Sequence, residues 1–154
     1  MVDERSRIIP HLSQKSYLNS AMPDPNDVSA YKNRGNSYYD LKEYQKAIAD
    51  YNRAIQLDPN YVKAYNNRGL SYHYLGEHQN AIADYSRAIQ LDPNYVKAYN
   101  NRGNSYLALK EYQNALTDYS RARQLDLNSV DTNIFFYLWR CLIIKIINNV
   151  VHKT

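Results

Sequence analysis

The chain has 154 residues, a length that fits one domain with a sizeable core. Its formal net charge of +4, on 22% charged residues, is too mild a bias to argue for a nucleic-acid partner. A single cysteine, Cys141, excludes an internal disulfide and fits a reducing, cytoplasmic compartment.

Residues 1–10 are mixed and polar, with no period, and no apolar run follows a basic N-terminus, so no secretory signal is expected. From residue 11 a register becomes visible. Asp24-Pro25-Asn26 lies 34 residues before Asp58-Pro59-Asn60, which in turn precedes Asp92-Pro93-Asn94 by the same step. In that register Ser13, Tyr17 and Ser20 stand where Ala47, Tyr51 and Ala54 stand. Two readings of the leader 1–27 stay open: residues 11–22 form a degenerate half-unit helix that covers the first full unit, or the leader is unstructured.

Three full units follow, over 28–61, 62–95 and 96–129. The stretch Ala47–Gly69 returns as Ala81–Gly103 with one difference in 23 positions, Asn52 against Ser86. Gly35, Gly69 and Gly103 fall in register, as do Tyr38, Tyr72 and Tyr106, and Ala54, Ala88 and Ala122. Within a unit the small and apolar residues recur at steps of three, four and seven, the spacing of one helix face. Asp-Pro-Asn ends the second helix of a unit, because proline cannot continue a helix and restricts the residue before it. Each unit thus reads as two helices. The first helices are expected over about 29–41, 62–75 and 96–109, and the second over about 43–57, 77–91 and 111–125. A mid-helix glycine costs about 1 kcal/mol relative to alanine, so its regular return implies close helix approach. Arg34, Arg68 and Arg102 share the period of Asp50, Asp84 and Asp118, and ion pairs between them are expected.

The segment 130–154 leaves the repeat. Phe135, Phe136, Trp139, Leu142, Ile143, Ile146, Ile147 and Val150 form an apolar arc at helical spacing. A C-terminal capping helix is expected there. Its extra apolar surface leaves two further readings: self-association into a homo-oligomer, and docking on a membrane. A spanning helix is disfavoured by Arg140 and Lys145 within the run.

The three units resemble the tetratricopeptide repeat: an aromatic at position four, glycine at eight, tyrosine at eleven, alanine at twenty and twenty-seven, an aromatic at twenty-four and proline at thirty-two. Two departures are the arginine at position seven and Leu127 in place of the third proline. The resemblance implies an all-α, right-handed solenoid of helical hairpins that acts as a protein–protein interaction scaffold. It also implies a concave groove lined by positions two, five, six, nine and twelve. Those are Ser29, Lys32, Asn33, Asn36 and Tyr39; Lys63, Asn66, Asn67, Leu70 and His73; and Lys97, Asn100, Asn101, Asn104 and Leu107. An asparagine offers a donor and an acceptor together, and so pairs with peptide backbone whatever the sequence. The sequence leaves three readings open: Asn33, Asn67 and Asn101 as rungs of a ladder for an extended peptide, a carboxylate clamp, or no groove ligand. A co-chaperone-like clamp has Lys32, Asn36, Asn67 and Lys97 in place, but Asn101 stands where it needs an arginine, which weakens a bidentate grip.

No catalytic activity and no cofactor are expected. His11, His73, His78 and His152 have no metal or base spacing, and neither a phosphate-binding glycine loop nor a nucleophile signature occurs. His73 reads as a groove contact.

Overall fold

The computed structural model describes residues 24–127. The helices expected over 11–22 and 130–154 lie outside the described residues. Six helices and no strand occupy the described region: α1 (Val28–Asp40), α2 (Tyr44–Leu57), α3 (Val62–Tyr74), α4 (His78–Leu91), α5 (Val96–Ala108) and α6 over 112–127.

Local chemistry sets the ends of these helices. In each Asp-Pro-Asn triplet the aspartate side chain accepts the amide of the asparagine two residues on, at 3.0 Å for Asp24, Asp58 and Asp92 alike. The chain then turns into the next first helix. Asp27 caps α1 by accepting the amide of Ala30 at 2.9 Å. The turn inside each hairpin needs a left-handed residue. Gly76 supplies it with φ 79°, whereas Lys42 and Lys110 adopt φ 61° and 62° in the other two units. In the third unit Leu127 replaces the proline, and α6 runs to residue 127, beyond the expected end at Leu125.

The hairpins close on a tyrosine under a glycine. Tyr51 and Tyr85 are 1% and 0% exposed, flanked by alanines that are wholly buried (Ala47, Ala54, Ala81, Ala88). A Cβ placed on Gly35, Gly69 or Gly103 would lie 2.6, 2.8 or 2.7 Å from the ring of Tyr51, Tyr85 or Tyr119. The glycine is therefore required by the ring beneath it, within the same hairpin.

Three arginines join the two helices of their own hairpins, and two of them also bind hairpin to hairpin. Arg68 grips Asp84 in a fork, Nε to Oδ2 at 2.8 Å and Nη2 to Oδ1 at 2.5 Å. Arg34 grips Asp50 and Arg102 grips Asp118 in the same way, so the expected pairs are present. The third donor reaches back across the repeat boundary. Arg68 Nη1 donates to Asn52 Oδ1 at 2.6 Å, and Arg102 Nη1 to Ser86 Oγ at 2.9 Å. The one difference between the two copies of the 23-residue stretch thus falls where either side chain provides the same acceptor. Each of these guanidiniums also lies over a tyrosine ring of its own helix, Arg68 over Tyr65 at 5.5 Å and Arg102 over Tyr99 at 5.8 Å.

Curvature follows from which helices touch. First helices of successive units meet, α1 with α3 and α3 with α5, while the second helices α2 and α4 do not. The array therefore bends towards the first helices, and these line its inner side.

Candidate functional site: an amide-lined groove

The first helices carry the positions named from the sequence, and four of their asparagines are joined to one another. Asn101 Nδ2 donates to Asn66 Oδ1 at 2.9 Å, Asn66 Nδ2 to Asn67 Oδ1 at 3.1 Å, and Asn67 Nδ2 to Asn36 Oδ1 at 2.9 Å. Four side chains from three units form one chain of bonds. Asn66 is 4% exposed, so it acts as a buried link between its neighbours. Asn33 lies outside this chain and accepts from Lys32 Nζ at 2.5 Å. Lys63, Lys97, Asn100 and Asn104 are exposed.

The bonds fix which way an amide faces. Asn36 Oδ1 accepts both Asn67 Nδ2 and the Tyr51 hydroxyl, the latter at 2.8 Å, so its NH2 group is turned from them. Asn104 Oδ1 accepts the Tyr119 hydroxyl at 2.7 Å in the same manner. In the middle unit Leu70 takes this position, and the Tyr85 hydroxyl is buried without a partner. Burial pushes the Tyr51 and Tyr85 phenols well above the ordinary tyrosine range. The contrast makes a prediction. Tyr51→Phe should destabilise the fold by about 1 kcal/mol, whereas Tyr85→Phe should cost nothing or stabilise it slightly. Urea denaturation of the two variants checks this, and equal losses would contradict it.

A pocket of about 250 Å³ opens between α1 and α3, lined by Asn36, Tyr39, Asp40, Tyr51, Asn67 and Leu70. That is smaller than the roughly 300–1,000 Å³ of sites for whole small molecules. It suits a side chain of a longer ligand. Tyr39 and Leu70 were legible as groove positions, but Asp40 and Tyr51 were not. Asp40 had a weak signal: it is an acid at a position where the three units differ, Tyr74 and Ala108 standing in the other two.

His73 sits between the second and third units. Its Nδ1 lies 2.9 Å from the Oγ of Ser105, which is fully buried, and its ring is 4.9 Å from that of His78. Burial, and then the charge of His78, hold the His73 imidazole below the ordinary histidine range. The folded state therefore disfavours protonated His73. This contribution to stability is complete above about pH 6.5 and is lost as the pH falls below it. The melting temperature should fall between pH 7 and 5.5, and His73→Leu, the residue of the third unit, should flatten that slope.

Among the described residues no three histidine, cysteine or acidic side chains converge on a metal-sized site. No described helix is long and apolar enough to cross a membrane. Repeated hairpins, a bend towards the first helices and a polar inner face define a helical-repeat scaffold, a class of fold that carries protein interactions. The chain belongs to the tetratricopeptide repeat family: the family model described as tetratricopeptide repeat matches residues 62–95 and 96–129, and a TPR repeat model matches 35–76. No curated protein matches it significantly. Among solved structures it is similar to MamA, at 27% identity and TM-score 0.72 over 82% of this chain and 74% of that one. The Arabidopsis OM64 TPR domain is 32% identical, with TM-score 0.64, over 66% of this chain and 84% of that one. The first TPR of Spaghetti (RPAP3), bound to the HSP90 peptide SRMEEVD, is 30% identical, with TM-score 0.65, over 77% of this chain and 95% of that one.

Proposed function

We propose that this protein holds an extended segment of a partner protein in the groove along α1, α3 and α5. The observation that carries the reading is the linked row of amides, whose bonds to one another set the orientation of Asn36 and leave its NH2 donors for a ligand carbonyl. The Spaghetti complex supports a peptide as the ligand class. Reading of backbone is favoured over a carboxylate clamp, because Asn101, in the place of the clamp's arginine, already donates to Asn66. Full-length protein can be titrated with SRMEEVD as free acid and as C-terminal amide, and with a random nonapeptide library, by fluorescence anisotropy. Binding that is equal for acid and amide, and lost in Asn67→Ala/Lys97→Ala, is the expected result. A strong preference for the free acid would favour the clamp. No binding by any probe would overturn the groove reading.

A second reading rests on α6, where Tyr112, Leu116 and Leu127 are 64%, 59% and 53% exposed. Ile48 and Ile82, the counterparts of Leu116, are half-buried. The open face supports self-association. Mass in solution, measured for the full chain and for a chain ending at Ser129, tests it; a monomer at both lengths overturns it.

A further inference from the structure

Asp40 is not explained by folding. It is the last residue of α1, where the negative end of the helix dipole disfavours a carboxylate. Its carboxylate makes no hydrogen bond and no ion pair among the described residues, and the residue is exposed. The other two units place Tyr74 and Ala108 at this position, so the repeat does not demand an acid. Yet Asp40 lines the pocket between α1 and α3, beside the ring of Tyr39 and the aliphatic Leu70. Its charge is felt inside, where it adds to burial in pushing the Tyr51 phenol up. The rest of the lining is amide and hydroxyl. Of the two cations on the same helix, Arg34 is held by Asp50, and Lys32 lies eight residues back, about 12 Å along the axis at 1.5 Å per residue. Screening at physiological salt acts over about 8 Å, so the two charges are read separately.

We propose that this pocket is a subsite for a basic side chain of the bound segment, with the aliphatic stem against Tyr39 and Leu70 and the charged head against Asp40. A lysine or arginine stem has the apolar body and polar tip that such a lining requires. The ring of Tyr39 adds attraction for the cation. A ligand carboxylate would be repelled there. The subsite rests on the groove reading above, and it names which side chain the groove selects at this point.

The test uses single-residue probes, so that it does not depend on any known partner. Full-length protein is titrated with the methylamides of Nα-acetyl-lysine, Nα-acetyl-norleucine and Nα-acetyl-glutamate. Side-chain amide resonances of Asn36 and Asn67 report occupancy by NMR. The lysine probe should saturate at a concentration about three- to fivefold lower than norleucine, the size of effect an exposed charge pair supplies. The glutamate probe should bind more weakly than both. The lysine preference should vanish in Asp40→Asn and fade in 1 M salt, where screening acts over about 3 Å. Asp40→Asn should melt no lower than the parent, because it removes an unfavourable charge from a helix end. Equal affinity for lysine and norleucine, a preference that survives Asp40→Asn, or no response from any probe overturns the subsite. Binding of nonapeptides without a lysine preference would overturn the subsite alone. Silence of the nonapeptides with a lysine response in the pocket would overturn the groove reading alone.

Discussion

Gly69→Leu should destabilise the protein by about 3 kcal/mol or more, the upper end of what overpacking a core costs. The Cβ alone would stand 2.8 Å from Tyr85 Cε1. The ring cannot yield, because Tyr85 is wholly buried among Ala81, Ala88 and Ala98, each also at 0% exposure. Gly69→Ala sharpens the argument. In an open helix that change stabilises by about 1 kcal/mol. Here the contact should reverse the sign, giving a net loss of about 1 kcal/mol. The middle unit touches both neighbours, and in a repeat array each unit leans on the next, so the loss should appear as one lowered transition. For Gly69→Leu the fall in melting temperature should be roughly 6–12 °C, from about 2–4 °C per kcal/mol in a chain of this size. A melting temperature unchanged in Gly69→Leu, or raised in Gly69→Ala, would remove the basis for close hairpin packing.

Most of the architecture was legible because the chain repeats itself. The period located Gly35, Gly69 and Gly103 and the alanines, and these are the residues that sit against the buried tyrosines. It also paired Arg68 with Asp84, since two charges that keep the same spacing in every copy are held by the same geometry. Helix ends were off by a residue or two: Leu41, Leu75 and Leu109 serve as caps beyond α1, α3 and α5, and α6 passes Leu125. Nothing in the spacing showed that Arg68 has a second hydrogen-bond partner. Asn52 and Arg68 are 16 residues apart across a repeat boundary, and they meet only because the units stack.

The sequence offered the candidate groove as a set of positions, without showing which of their groups are already bonded. Asparagines at positions five, six and nine looked equivalent along one helix face. Stacking makes them unequal: Asn66 is spent between Asn67 and Asn101, while Asn104 is exposed. Period-based reading also favours what recurs. Leu70, which leaves Tyr85 without an acceptor, is a single departure, and Asp40, which puts a carboxylate on the pocket, stands where no residue recurs; each matters through a neighbour from another helix.

Arg68→Ala should cost about 3 kcal/mol, at the lower end of the roughly 3–5 kcal/mol for breaking a buried pair from one side. The side chains are 20% exposed for Arg68 and 8% for Asp84, so the carboxylate is the member removed from water. Burial already pushes the Asp84 carboxyl upwards, and only Arg68 pulls it back. With the guanidinium gone, Asp84 must stay charged in the core or take a proton. Both alternatives are unfavourable near neutral pH, and the variant should regain part of its stability as the medium is acidified towards pH 5, because protonation then relieves the buried charge. The double variant Arg68→Met/Asp84→Leu should recover most of the loss, since no uncompensated charge remains. The pair of Lys46 and Glu43, with the lysine side chain 64% exposed, provides the contrast: Lys46→Ala should cost much less than Arg68→Ala. Urea denaturation of the three variants decides the matter. If Arg68→Ala costs no more than Lys46→Ala, the arginines lie on the surface of the array and do not join its units.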